Sequence, residues 1–98
     1  MRAYIHLVEK ALADGHVVSV WDGEEYQVTR CIIKDNIIEA IESVEEAMIK
    51  IHTINGNHVG TALIIPFGLE DDETVADYGV NEYMETWADE YDMVMVNT

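Results

Sequence analysis

Near the N-terminus, apolar residues return every three or four positions: Tyr4, Ile5, Leu7, Val8, Ala11 and Leu12. That period places them on one stripe of a helix from about Arg2 to Ala13, and Gly15 stands where its C-terminus wants a left-handed residue. The period then falls to two. HVVSVW is rich in β-branched residues, Asp22-Gly23 is a turn pair, and EYQVTRCI resumes the alternation, which predicts a hairpin. DNIIEAIESV restores the helical period, with Ile37, Ile38, Ile41 and Val44 on one face, Asn36 as N-cap and Glu39 three residues on. AMIKIHTI and HVGTALIIPFG flank Asn55-Gly56-Asn57 and predict a second hairpin. A three-residue loop puts Ile49 and Ile51 on one face with Thr61, Leu63 and Ile65, the most apolar face that any register offers.

Ile37, Ile41, Val44, Met48 and Ile51 also fit a single long helix, with Ser43 and Glu46 as an internal capping box. The β-branched Ile49, Ile51, Thr53 and Ile54, next to an Asn-Gly turn, favour the strand. Pro66-Phe67-Gly68 ends the last strand, and Glu70 to Gly79 reads as an acidic loop. Asn81 caps a third helix from about Glu82 to Met95, with Met84, Trp87, Ala88, Tyr91 and Met95 on its apolar stripe. The expected fold is α+β: a duplicated αββ pattern whose two hairpins join into a four-stranded antiparallel sheet packed by two helices, followed by an acidic C-terminal helix. At 98 residues this is one domain, comprising a first unit (1–32), a second unit (33–68) and the acidic loop and helix (69–98).

Charge changes the picture. Twenty Asp and Glu face five Lys and Arg, a formal net charge of −15. Arg2, Lys10, Arg30, Lys34 and Lys50 all lie in the first fifty residues, so the ten carboxylates after Lys50 have no basic neighbour in sequence. Such a surface repels nucleic acid and anionic lipid and attracts basic partners, so direct nucleic-acid or membrane binding is not expected. The longest apolar run, ALIIPFGL, is far short of the roughly 20 residues that span a bilayer. Cys31 is the only cysteine, which fits a reducing compartment, and the expected location is cytoplasmic.

Catalytic and metal chemistry find little support. An EF-hand loop needs oxygen ligands at positions 1, 3 and 5 and glycine at 6; aligning Gly79 puts Thr74, Ala76 and Tyr78 there, and the pattern fails. Asp71, Asp72, Glu73 and Asp77 could hold a divalent cation only loosely. No lysine follows an acid by two residues, as a metal nuclease wants, and His6, His16, His52 and His58 lack H-E-x-x-H spacing. His52 and His58 can face each other beside the second turn, as two hairpin histidines. Cys31 sits in an apolar run, where a structural thiol is commoner than an activated one, and Ser19 and Ser43 lack a nucleophile-elbow context. No cofactor and no enzymatic activity are expected. Trp21 points away from Val18 and Val20, which either exposes it beside Asp22, Glu24 and Glu25 or buries it under a helix.

The acidic helix carries the functional expectation. At 100° per residue, Glu82, Glu85, Asp89 and Asp92 fall within about a quarter of its circumference, away from the apolar stripe centred on Tyr91. Their axial spacing is about 5 Å, against about 3.4 Å between charges on one DNA strand. With Glu90 and the Glu70, Asp71, Asp72, Glu73 and Asp77 cluster, the ridge approaches phosphate-like charge density. In size, charge, its lone cysteine, the acidic helix and runs such as VWDGEEYQV, the chain resembles the small acidic proteins that bacteriophages encode against host nucleic-acid machinery, including DNA-mimic anti-restriction and anti-CRISPR inhibitors. That resemblance covers no defined motif and implies only a non-enzymatic inhibitor of a host nucleic-acid-binding protein; it is the charge pattern that assigns these ten carboxylates to the basic surface of such a partner. The alternative expectation is a protein-interaction or structural domain, homodimeric through an open sheet edge or the Trp21 face, its charge serving solubility.

Overall fold

A computed structural model describes the backbone of residues 1–68 and 70–96 and, apart from residue 69, the side chains through Met93. The first helix, α1 (Ala3–Ala13), ends as its sequence demands. Gly15 takes φ 82°, its N–H bonds the carbonyl of Leu12, and the His16 N–H bonds that of Ala11, which is the two-bond Schellman closure. The first hairpin follows as β1 (Val17–Trp21) and β2 (Tyr26–Cys31). Asp22 builds its turn: one carboxylate oxygen accepts the N–H groups of Glu24 and Glu25, and the other accepts the Gln27 amide. Near the far end of β2, Arg30 adopts φ 45° in a bulge, and its N–H is taken up by Ser19 Oγ at 2.9 Å.

Helix α2 (Lys34–Glu42) starts earlier than expected. Ile33 is its N-cap residue and no side chain caps it, so Asn36 lies inside the first turn. Residues 47–52 are strand and not helix: β3 (Ala47–His52) pairs with β1 on one side and with β4 (His58–Ile64) on the other. Beyond β4 the segment 70–79 is not the loop the sequence suggested. Asp72–Thr74 forms a short 3-10 turn, and β5 (Val75–Tyr78) adds a fifth antiparallel strand, giving the order β2-β1-β3-β4-β5. Four residues with Ala76-Asp77 at their centre carry too little alternation to read as a strand. The partner edge of β4 supplies the ladder that local propensity does not.

The register of the second hairpin also differs from the most apolar one. Ile49 pairs with Ala62 and Ile51 with Gly60, after a bulge at Ile51/His52. The inward face of β4 is therefore Gly60, Ala62 and Ile64, while Thr61 and Leu63 turn outward and Ile65 is exposed. Helix α3 (Glu82–Val96) explains the choice. A Cβ on Gly60 would stand 2.5 Å from Met84 Sδ, so small residues on β4 are what allow α3 to lie on the sheet. Asn81 starts that helix as expected: its Oδ1 accepts the Met84 N–H, and its Nδ2 donates to the Val59 carbonyl.

All three helices pack on one sheet face around a single core. Tyr4, Leu7 and Val8 of α1, Ile37 and Ile41 of α2, and Met84, Trp87 and Tyr91 of α3 meet Val18, Val20, Ile49, Ile51 and Ile64. The predicted α3 stripe holds for Met84, Trp87 and Tyr91, with Ala88 half-buried; the side chain of Met95 lies outside the described residues. No described helix covers the other face of the sheet, and Trp21 sits half-buried there, neither under a described helix nor fully exposed.

Candidate binding surface

The ten carboxylates predicted as a binding surface separate into three groups. Glu82, Glu85, Asp89 and Asp92 lie along the outward side of α3, all exposed, because Met84, Trp87 and Tyr91 turn the opposite side into the core. None of the four forms an ion pair with a described residue. Glu82 and Glu85 occupy the first turn, where the helix dipole favours acids, but Asp89 and Asp92 approach a C-terminus that has no base in its last turn.

The second group converges on Tyr91. Its hydroxyl donates to the Met1 carbonyl at 2.8 Å, and burial, then Asp71, Asp72 and Asp92, push its pKa above the ordinary value. The loop acids and the far end of α3 thus share one neighbourhood. Asp71 is partly spent on structure. Its carbonyl accepts from Ala3 N–H and Thr74 Oγ1, and its carboxylate lies 3.9 Å from the N-terminal ammonium and 4.0 Å from Arg2 Nε. Arg2 in turn donates to the carbonyls of Pro66 and Gly68, clamping the segment before the acids to α1. Glu70, Asp72 and Glu73 remain exposed.

The third group falls away from the ridge. Glu90 turns toward α1 and pairs with Lys10 at 3.3 Å; Lys10 also holds Asp14 at 3.3 Å and lies over the Tyr83 ring. Burial alone would lower the Lys10 pKa, but its bonds to Glu90 and Asp14 outweigh that and raise it. The Tyr83 hydroxyl donates to Asp14 and, ahead of Lys10, holds that carboxyl below its usual range. Glu90 therefore belongs to a strut between α1 and α3. Asp77 lies on β5 opposite Leu63, so it faces the uncovered side of the sheet, away from α3.

No family model, curated protein or solved structure matches this chain. The surface must be judged on its own chemistry. Among the described residues, no group of three or more His, Cys, Asp or Glu is placed to hold a metal ion. No described helix is long and apolar enough to cross a membrane. His52 and His58 do face each other, with ring centres 5.6 Å apart. Burial, then His58, Arg30 and Lys50, lower the His52 pKa. Cys31 is half-buried with its thiol directed at the Ile33 carbonyl.

The described cations with ionic partners are committed away from the outward side of α3: the N-terminal ammonium and Arg2 to Asp71, Lys10 to Asp14 and Glu90, and Lys34 to Glu9 at 2.6 Å. Lys50 donates to the Tyr26 hydroxyl and lies over the Trp21 and Tyr26 rings, and Arg30 reaches Gly56 at the second hairpin turn. Sequence reasoning missed a row that crosses all five strands on the uncovered face: Tyr26, Trp21, Met48, Leu63 and Asp77 are successive cross-strand neighbours. Only the strand order and the β4 register reveal it.

Proposed function

We propose that this protein is a non-enzymatic acidic ligand that occupies the basic, nucleic-acid-binding surface of another protein and thereby blocks or modulates it, acting in a cytoplasm, in keeping with its phage-like character. The observation that supports this is the outward side of α3. Four carboxylates are held there at helical spacing on a rigid, core-anchored element, with no described cation to neutralise them. Lysine and arginine side chains that normally grip phosphates would pair with them, giving association that is fast and weakened by salt. Asp72 and the half-spent Asp71 extend the field past Asp92 at the end of the ridge; Glu90 contributes through its exposed edge only.

The test is affinity capture from a bacterial lysate at low salt, followed by elution with salt or competing duplex DNA. The expected result is a nucleic-acid-binding protein that is retained, released by either eluent, and lost when Glu82, Glu85, Asp89 and Asp92 are replaced together by Gln and Asn. A resin that holds no such protein, or one that still holds it after the fourfold replacement, contradicts the proposal.

A further inference from the structure

The uncovered sheet face has a charge pattern of its own. From Ala47 to Leu69 the chain contains no carboxylate, so β3, β4 and their turn are acid-free in a protein of net charge −15. Across the strands runs the row Tyr26, Trp21, Met48, Leu63 and Asp77. On one side of it stand Lys50, whose ammonium reaches back over the Trp21 and Tyr26 rings, and then His52; on the other lie Glu46 and the acidic 22–25 turn. Along the chain, Met48 is midway between Glu46 and Lys50, with about 7 Å of strand to each. Trp21, Met48, Leu63, Gly23, Asp22 and Glu46 line a hollow of about 370 Å³.

We infer that this face receives a second copy of the chain, related by a two-fold axis lying along the row. That operation sets Met48 and Leu63 of each copy against their own counterparts on the axis. It also reverses the strands, so Lys50 of one copy meets Glu46 and the 22–25 turn of its partner, and the reciprocal contact forms at the same time. The helical layers point outward, which leaves the α3 ridges free on opposite sides of the dimer. The face spans about five strands at ~4.8 Å by about five residues at ~3.3 Å, roughly 400 Å² in projection. A standard interface buries about 800 Å² per partner, so the association belongs to the small, weak class.

Sedimentation equilibrium of the full chain from about 5 μM to 1 mM tests the inference. Mass should approach that of a dimer at the upper end, Leu63→Asp should abolish the increase, and Glu46→Lys should weaken it at least tenfold. Mixing Glu46→Lys with Lys50→Glu should restore association, because each pairing in the mixed dimer is then of opposite charge. Asp77→Asn should tighten it, since the row brings the two Asp77 carboxylates together at the rim. Leu63 and Glu46 are at the surface, and an unchanged far-UV spectrum shows that their variants fold; these two variants decide the matter even if Lys50→Glu does not. A monomer throughout the range, a dimer indifferent to both variants, or a chain that stays monomeric while binding an oligonucleotide at this face overturns the inference. The fourfold α3 variant should still dimerise, which separates this outcome from failure of the proposed function.

Discussion

On the helical side, the outward turn of α3 carries four carboxylates with no described cation beside them, whereas the hairpin of β3 and β4 on the uncovered face carries no carboxylate at all. If the charge served only solubility, the β3–β4 hairpin would be expected to share in it, because partly exposed Met48 and Leu63 sit there. Instead the acids crowd onto a helix that is already anchored, and Glu85 and Asp89, four residues apart, repel one another. The difference teaches that charge in this protein is segregated. An ordinary solvated surface intersperses the two signs, and their separation here is what the proposed basic partner and the proposed self-association each build on.

The two tryptophans measure the contrast most sharply. Trp87 is 3% exposed, donates Nε1–H to His6 Nδ1 at 3.0 Å, and stacks with Tyr91. Trp87→Ala should destabilise by about 3–5 kcal/mol in denaturant titrations. Trp21→Ala removes a half-buried ring edged by Tyr26 and its contact with Lys50, and should cost only about 1 kcal/mol. Equal losses would mean that the uncovered face belongs to the core. Next in size is Gly60→Ala. Its Cβ must displace the buried Met84, so a loss of about 1–3 kcal/mol is expected, with the α3 ridge shifting away from the sheet. A neutral effect there would refute the register explanation.

Smaller effects dissect the ridge. Replacing Asp89 and Asp92 by Asn should stabilise the protein by a few tenths of a kcal/mol, because Asp89 repels Glu85 one turn before it and Asp92 is the acid nearest the negative end of the helix dipole. Replacing Glu82 and Glu85 by Gln should cost a similar amount, since acids favour the first turn. Thermal midpoints of the two double variants should therefore move in opposite directions, while both weaken capture of a basic partner. The smallest effect is a pH dependence on the uncovered face. The folded His52 pKa lies below the ordinary 6.5, by burial first and then by His58, Arg30 and Lys50. Its contribution to stability is therefore full above about pH 6.5 and is lost as pH falls through the folded value. His52→Asn should flatten that part of the stability curve, measured between pH 7.5 and 5.

Much of the fold was legible because its signals are local. Gly15 closes α1, Asp22-Gly23 and Asn55-Gly56 make the turns, Asn81 caps α3, and helical spacing alone placed Glu82, Glu85, Asp89 and Asp92 outward. What escaped depends on distant partners. β5 exists because β4 offers an edge, and the β4 register follows from Met84 packing on Gly60, 24 positions away. The acid cluster divided for the same reason: Glu90 finds Lys10 across 80 residues, and Asp71 finds the chain's first two residues, pairings that spacing cannot announce.

The central claim is that the α3 ridge takes the place of phosphates on a basic surface. It is tested most directly by competition for one captured nucleic-acid-binding protein: displacement of labelled duplex DNA by this chain, measured over a range of salt concentrations, with the fourfold α3 variant alongside. The wild-type chain should displace DNA, losing potency steeply as salt rises, and the variant should compete at least tenfold more weakly with a shallower salt slope. Equal competition by the two, or wild-type binding that leaves DNA in place, would contradict the account.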